Sequence, residues 1–204
     1  MTKGRVDRDA ERLKKQLEFV LEIDKEKNIF RQTHLTGYLR QENDAEHAWH
    51  MAIMIYLLRE YADEDFDVLR AMMMALIHDI VEIDAGDTYA YDEVNLATQK
   101  AREDAASERI FGILPEEQKA ELRELFYEFE EGNTPEARFA RAMDNLQPLL
   151  LNDANNGKDW RVHGVSRSQV TARQKRTLGA SKVLWDFTHK LIDKNVDAGN
   201  IIDE

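Results

Sequence analysis

The sequence predicts an all-α protein, one domain spanning residues 1–204 and built as a bundle of about six to seven helices. Three observations lead there. Apolar residues recur at helical spacing along the chain, as in Leu13, Leu17, Val20 and Leu21, again in Leu122, Leu125, Phe126 and Phe129, and again in Ala180, Leu184, Phe187 and Leu191. Nine Gly and three Pro leave few turn markers, and no run shows the β-branched alternation of a strand. A 33% charged fraction beside a 43% hydrophobic one matches the Glu, Lys, Arg and Ala richness of helical chains.

Taken in order, helices are expected at roughly 8–27, 44–61, 66–82, 93–111, 115–130, 135–152 and 168–193. The first is an amphipathic helix carried by Leu13, Leu17, Val20 and Leu21. The second is apolar on two faces, Trp49, Ala52, Ile53 and Tyr56 on one and Met51, Met54, Ile55 and Leu58 on the other, so it should be largely buried. The third contains AMMMALI at 71–77, without a polar residue. Pro115 and Pro135 stand where first helical turns begin, since proline needs no amide partner there. The 135–152 helix carries Phe139, Ala142, Met143, Leu146, Leu149 and Leu150, and Pro148 inside it leaves the Asp144 carbonyl without a donor, which either kinks the helix or marks its end. Residues 152–164 read as an exposed connection, and 195–204 as a frayed tail.

Charge and composition narrow the function. A net charge of −12 repels phosphate backbones, so a small substrate is expected and a nucleic acid polymer is not. The absence of cysteine excludes disulfides, thiolate nucleophiles and Cys-ligated metal sites. No stretch approaches the roughly 18 apolar residues of a membrane span, and the first residues do not resemble a secretory signal, so a cytoplasmic location without a membrane partner is expected.

Each of the three most apolar helices carries ionisable residues on its apolar surface: His47, then His78 and Asp79, then Asp144. A buried charge without a partner costs several kcal/mol, so such groups are paired, shifted in protonation or bound to a metal. Each alone reads as a hydrogen-bonded core residue. Together, two imidazoles and two carboxylates make a donor set for one divalent ion, Mn, Co, Zn, Fe, Ni or Mg. Glu82, three residues past Asp79, falls on the same helical face and can orient or deprotonate a water, or else ends the helix as a surface carboxylate. His50 lies about 60° round the helix from His47, which favours packing or a hydrogen bond over ligation. His34, His163 and His189 read as surface residues, and RQKR at 173–176 as a solvated helix face or the rim of an anionic pocket.

ENDAEHAWH (42–50), HDIVEIDAGD (78–87) and ARAMDNLQ (140–147) resemble the three metal-binding motifs of the HD superfamily, in the order His, His-Asp, Asp. The resemblance covers about residues 9–155 and points most closely to the bacterial HD-domain 5′-deoxynucleotidases and their relatives. It implies a homodimeric, metal-dependent phosphohydrolase that removes phosphate from a (deoxy)nucleoside 5′-monophosphate by attack of metal-bound water. It also implies His47, His78, Asp79 and Asp144 as metal ligands, Glu82 and Asp87 as catalytic residues, and Arg31, with Arg40 second, on the phosphate. Gln32 stands where the characterised nucleotidases carry a tryptophan that selects deoxyribose. Dinuclear HD proteins need further histidines before the last Asp, and residues 80–143 hold none. A guanosine tetraphosphate hydrolase would carry Glu-Asp where this chain has Glu82-Ile83. A non-catalytic helical module held together by a metal is the alternative outside enzymes.

Overall fold

In the computed structural model, residues 3–86 and 93–204 are described, with side chains for 8–86 and 98–204. The chain runs as α1 (Lys3–Ile23), a 3-10 turn, the strands β1 (Phe30–His34) and β2 (Gln41–Asn43), then α2 (Asp44–Leu58), α3 (Val68–Ile77) and the short α4 (Glu82–Ala85). Beyond 92 come α5 (Glu93–Phe111), α6 (Glu116–Glu131), α7 (Pro135–Ala154), α8 (Lys158–His163), α9 (Arg167–Leu178) and α10 (Lys182–Asp197). The fold is helical, as expected.

Helix starts are written locally. Asn43 and Glu46 form a reciprocal capping box on α2, with Asn43 Oδ1 accepting from Glu46 N at 2.9 Å and Glu46 Oε2 from Asn43 N at 3.2 Å. Asp67 caps α3, Thr134 with Pro135 opens α7, and Ser166 with Gln169 boxes α9. α2, α3 and α7 pack on one another in the centre, where Met51, Ile55, Met74, Ala75 and Met143 are fully buried. α5 and α6 close one side with Ile110, Phe111 and Phe126, and α9 and α10 the other with Val170 and Ile192.

Several expectations are corrected. The 66–82 helix breaks after Ile77: the His78 ring donates from Nδ1 to the Ala75 carbonyl at 2.9 Å, the acceptor that Asp79 N would use if the helix continued. The chain then winds through i→i−3 bonds, Glu82 N to Asp79 O at 2.8 Å among them, before Gly86 (φ 75°) ends α4. The 168–193 helix is two, parted at Gly179–Ser181. Residues 152–164 are no exposed connection, since Asn155, Asp159 and Trp160 are buried and α8 lies within them. Nor is the tail frayed: Ile201 is buried, and Ile202 N and O bond Val165 O and Arg167 N at 3.1 and 2.8 Å.

The two strands were not expected because their residues lack strand patterning; tertiary hydrogen bonds hold them instead. Asp159 accepts from His34 N (3.1 Å) and Tyr38 Oη (2.9 Å) and meets His34 Nδ1 at 2.9 Å, while Asn155 bonds Gly37 N, His34 O and Leu35 O. Those contacts hold Tyr38 at φ 59° and make His34 part of a network rather than a surface residue. Two apolar stripes remain exposed. Leu13, Leu17, Val20 and Leu21 of α1 face solvent while Phe19 is buried in the core and Ile23 packs against it, and on α2 the Trp49, Ile53 and Tyr56 face lies outside. Periodicity identifies a stripe without saying what covers it.

Ser181 is fully buried; its Oγ accepts from Leu184 N at 3.1 Å and donates to Tyr61 O at 2.5 Å. Ser181→Ala should therefore cost about 1–3 kcal/mol in urea unfolding, because the cap on Leu184 N and the bond to the Tyr61 carbonyl are lost together. An unchanged midpoint would show that the α9–α10 break is held by other contacts.

Candidate metal centre

The first turn of α2, the end of α3 and the middle of α7 bring His47, His78 and Asp144 together. Their ligand atoms all lie within 4.8 Å of one another, the metal-competent group among the described residues. Asp79 flanks it, with Oδ1 3.0 Å from His78 Nε2 and Oδ2 accepting from Arg31 Nη1 at 2.7 Å.

The hydrogen bonds decide both histidine tautomers. The Gln147 amide NH2 faces two acceptors, Glu42 Oε1 at 2.6 Å and His50 Nδ1 at 3.2 Å, which leaves its Oε1 to accept from His47 Nδ1 at 3.0 Å. His78 Nδ1 is held by the Ala75 carbonyl. Each imidazole thus turns Nε2 toward a carboxylate, His47 to Asp144 Oδ1 at 3.2 Å and His78 to Asp79 Oδ1 at 3.0 Å. Two such acceptors repel unless a proton or a cation lies between them. Ligands about 2.1 Å from a common ion stand roughly 3 Å apart along an octahedral edge, so the spacing suits a metal. His50 contributes only through Gln147, as a partner at second remove.

The electrostatics carry the same strain. Although burial opposes it, Asp79 and then Asp144 raise the His78 imidazole to about 9. Burial pushes both carboxyls up, yet His78 and Arg31 hold Asp79 well below the carboxylate range, and the His47 hydrogen bond with Arg173 does the same for Asp144.

A cavity of about 750 Å³ opens from this cluster, lined by Arg31, His78, Asp79, Glu82 and Asp144, by Glu103 and Glu130 across from them, and by α9. Glu82 is buried at its edge. Arg31 reaches the cavity with its guanidinium engaged by Asp79 and by Asp44 at 3.3 Å. Arg40 is not brought there: it is exposed and bonds both oxygens of Glu46 at 2.6 and 2.8 Å. Asp87 lies outside the described residues.

Glu26, in the 3-10 turn after α1, escaped sequence reasoning because it sits in the charged run DKEKN, which reads as surface. It is buried, its Oε1 lacks a hydrogen-bond partner, and burial followed by the Asp79 charge raises it to about 7. A carboxyl raised in the folded state stabilises fully below its ordinary 4.5 and loses that stabilisation as pH rises through about 7. In chelator-treated protein, Glu26→Gln should match the parent near pH 4 and melt higher at pH 8. Equal melting temperatures at pH 8 would contradict this.

A model of the HD-domain family matches residues 23–185. The chain is 31% identical over 111 residues to the 5′-deoxynucleotidase HDDC2 of Homo sapiens, covering 54% of this chain and 53% of that protein. It is 27% identical over 126 residues to the 5′-deoxynucleotidase hdd1 of Schizosaccharomyces pombe, 57% and 62% covered. The chain thus spans about half the length of the curated relatives it matches. A solved structure from Magnetospirillum magnetotacticum MS-1, described as a predicted metal-dependent phosphohydrolase, is 48% identical with a TM-score of 0.87, covering 93% of this chain and 95% of that one.

Proposed function

We propose that this chain, which belongs to the HD-domain family, is a metal-dependent phosphohydrolase that removes phosphate from nucleoside 5′-monophosphates. The observation that carries the reading is His78 Nε2, buried without a hydrogen-bond partner and turned toward a carboxylate. The named relatives and the metal-dependent structural neighbour support it. Gln32, in place of the tryptophan of characterised deoxynucleotidases, leaves deoxyribose without that selector.

His47, His78, Asp79 and Asp144 would hold one divalent ion, their nitrogens and oxygens suiting Mn, Co, Zn, Fe, Ni or Mg. When bound, such an ion supplies a Lewis acid for a phosphoryl oxygen and lowers the pKa of coordinated water. Gln147 and the Ala75 carbonyl keep the imidazoles in the ligating tautomer, and Arg31 aims Asp79. Glu82, buried on the cavity wall, accepts the proton of the attacking water at its carboxylate. The family resemblance assigns Asp87, outside the described residues, to the sugar or the leaving group.

His78→Ala and Asp144→Ala should each lose bound metal and abolish phosphate release from a panel of ribo- and deoxyribonucleoside monophosphates. Glu82→Gln should keep the metal and lower turnover on the order of 10²–10⁴-fold. Full metal content and activity in the first two variants would overturn the reading.

The same proposal includes a homodimer. Trp49, Ile53, Tyr56 and Leu57 of α2, 63%, 42%, 51% and 59% exposed, form an apolar stripe at i, i+4, i+7 and i+8, and a two-fold interface would cover it with its own copy. Sedimentation should give twice 23.7 kDa for the parent and a monomer for Tyr56→Glu; a monomeric parent sinks this part.

A further inference from the structure

The segment ENDAEHAWH (42–50) holds a buried acid that the metal reading leaves unused. Glu42 lies on β2, one residue before the Asn43 cap of α2, and is 1% exposed. It does not line the cavity. Its Oε1 accepts from Gln147 Nε2 at 2.6 Å, while its Oε2 is buried, 3.7 Å from His47 Nδ1, with no hydrogen-bond partner among the described residues. A buried carboxylate oxygen left in that state is costly and calls for a compensating charge nearby.

Glu42, Gln147, His47 and His50 form a chain of hydrogen bonds whose direction only one of them fixes. His47 Nδ1 meets Gln147 Oε1 at 3.0 Å, and Gln147 Nε2 meets both Glu42 Oε1 and, at 3.2 Å, His50 Nδ1. An imidazole nitrogen donates or accepts according to tautomer, and an amide can turn end for end, whereas a carboxylate only accepts. With Glu42 in place the Gln147 NH2 must face it, the amide oxygen must face His47, and the His47 proton must sit on Nδ1. Turned the other way, the amide would donate to Nδ1 and leave the imidazole proton on Nε2, closing that nitrogen to an ion. The Glu42 charge near Nδ1, in a buried setting, favours the same proton directly. Gln147 follows Asp144 at i+3 on α7, so one helix face carries a candidate ligand and the amide that orients another.

We propose that Glu42 is a positioning residue of the metal centre: through the Gln147 amide it fixes the His47 proton on Nδ1 and keeps Nε2 open for an ion. For its consequence, ion affinity, this rests on the metal-site reading above; the tautomer itself does not.

Two readouts other than activity test it: Zn²⁺ affinity of chelator-treated protein by calorimetry, and nitrogen NMR shifts of the His47 ring, which report where the proton sits. Glu42→Gln removes the charge but keeps a carbonyl for the Gln147 NH2, so Zn²⁺ should bind on the order of tenfold more weakly with Nδ1 still protonated. Glu42→Leu removes both and should cost on the order of a hundredfold, with the proton moved to Nε2. Exchanging the pair, Glu42→Gln with Gln147→Glu, sets a carboxylate directly against His47 Nδ1 and should return the affinity to about that of the parent. A packing defect would lower the metal-free melting temperature in step with affinity; here Glu42→Gln should melt no lower than the parent, because a buried unpaired charge is gone. Unchanged Zn²⁺ affinity in Glu42→Leu, an Nδ1 proton retained in that variant, or no recovery in the exchanged pair would each overturn the assignment. Should Glu42→Leu fail to fold, parental affinity in Glu42→Gln or no recovery in the exchanged pair does so. If the parent binds no Zn²⁺, the metal reading falls and the ring spectra alone judge Glu42, upheld by an Nδ1 proton lost in Glu42→Leu and overturned by one absent from the parent. Zn²⁺ bound without phosphate release sinks the hydrolase reading and leaves Glu42 its role.

Discussion

Two imidazole nitrogens turned toward two carboxylates, at the buried end of the cavity, are the constraint from which the rest of the molecule follows. His47 Nε2 meets Asp144 and His78 Nε2 meets Asp79 at about hydrogen-bond distance, while both Nδ1 atoms are already held by Gln147 and by the Ala75 carbonyl. An arrangement of that kind is costly when nothing positive sits between the partners and favourable when something does. The raised His78 and depressed Asp79 and Asp144 express that demand in protons.

The backbone is shaped around the same point. Taking the Ala75 carbonyl for its ring, His78 ends α3 and turns the chain through tight i→i−3 bonds, which sets the Asp79 carboxylate beside His78 Nε2 and Glu82 on the cavity wall. The β1–β2 hairpin serves the same end from the other side, since it carries Arg31 to Asp79 and is itself clamped by Asn155 and Asp159. Segments that look like connections thereby become supports for the proposed metal ligands.

Charge in the cavity is divided by wall. Arg31 and Arg141 are positioned by hydrogen bonds to protein acceptors, the α5–α6 wall is acidic, and α9 carries its guanidiniums outward on a helix whose other face is locked to α7. Such polarity orients an anion before any specific contact is made.

The chain's own letters determined the helical class, the capped starts of α2, α3, α7 and α9, and the ordered His, His-Asp, Asp set, because helical period, capping chemistry and ligand type are local properties. Tertiary structure alone decided which stripe of α1 and α2 is covered, that 152–164 and the last residues are packed, that Arg31 faces Asp79, and that Glu26 is buried. It also decided that Arg173 and Arg176, within the run 173–176, line the cavity beside the candidate metal centre. Those outcomes depend on what stands opposite a side chain. A helix face or a charged run reads identically whether its neighbour is solvent, a carboxylate or an apolar wall, and only the packed chain supplies the neighbour.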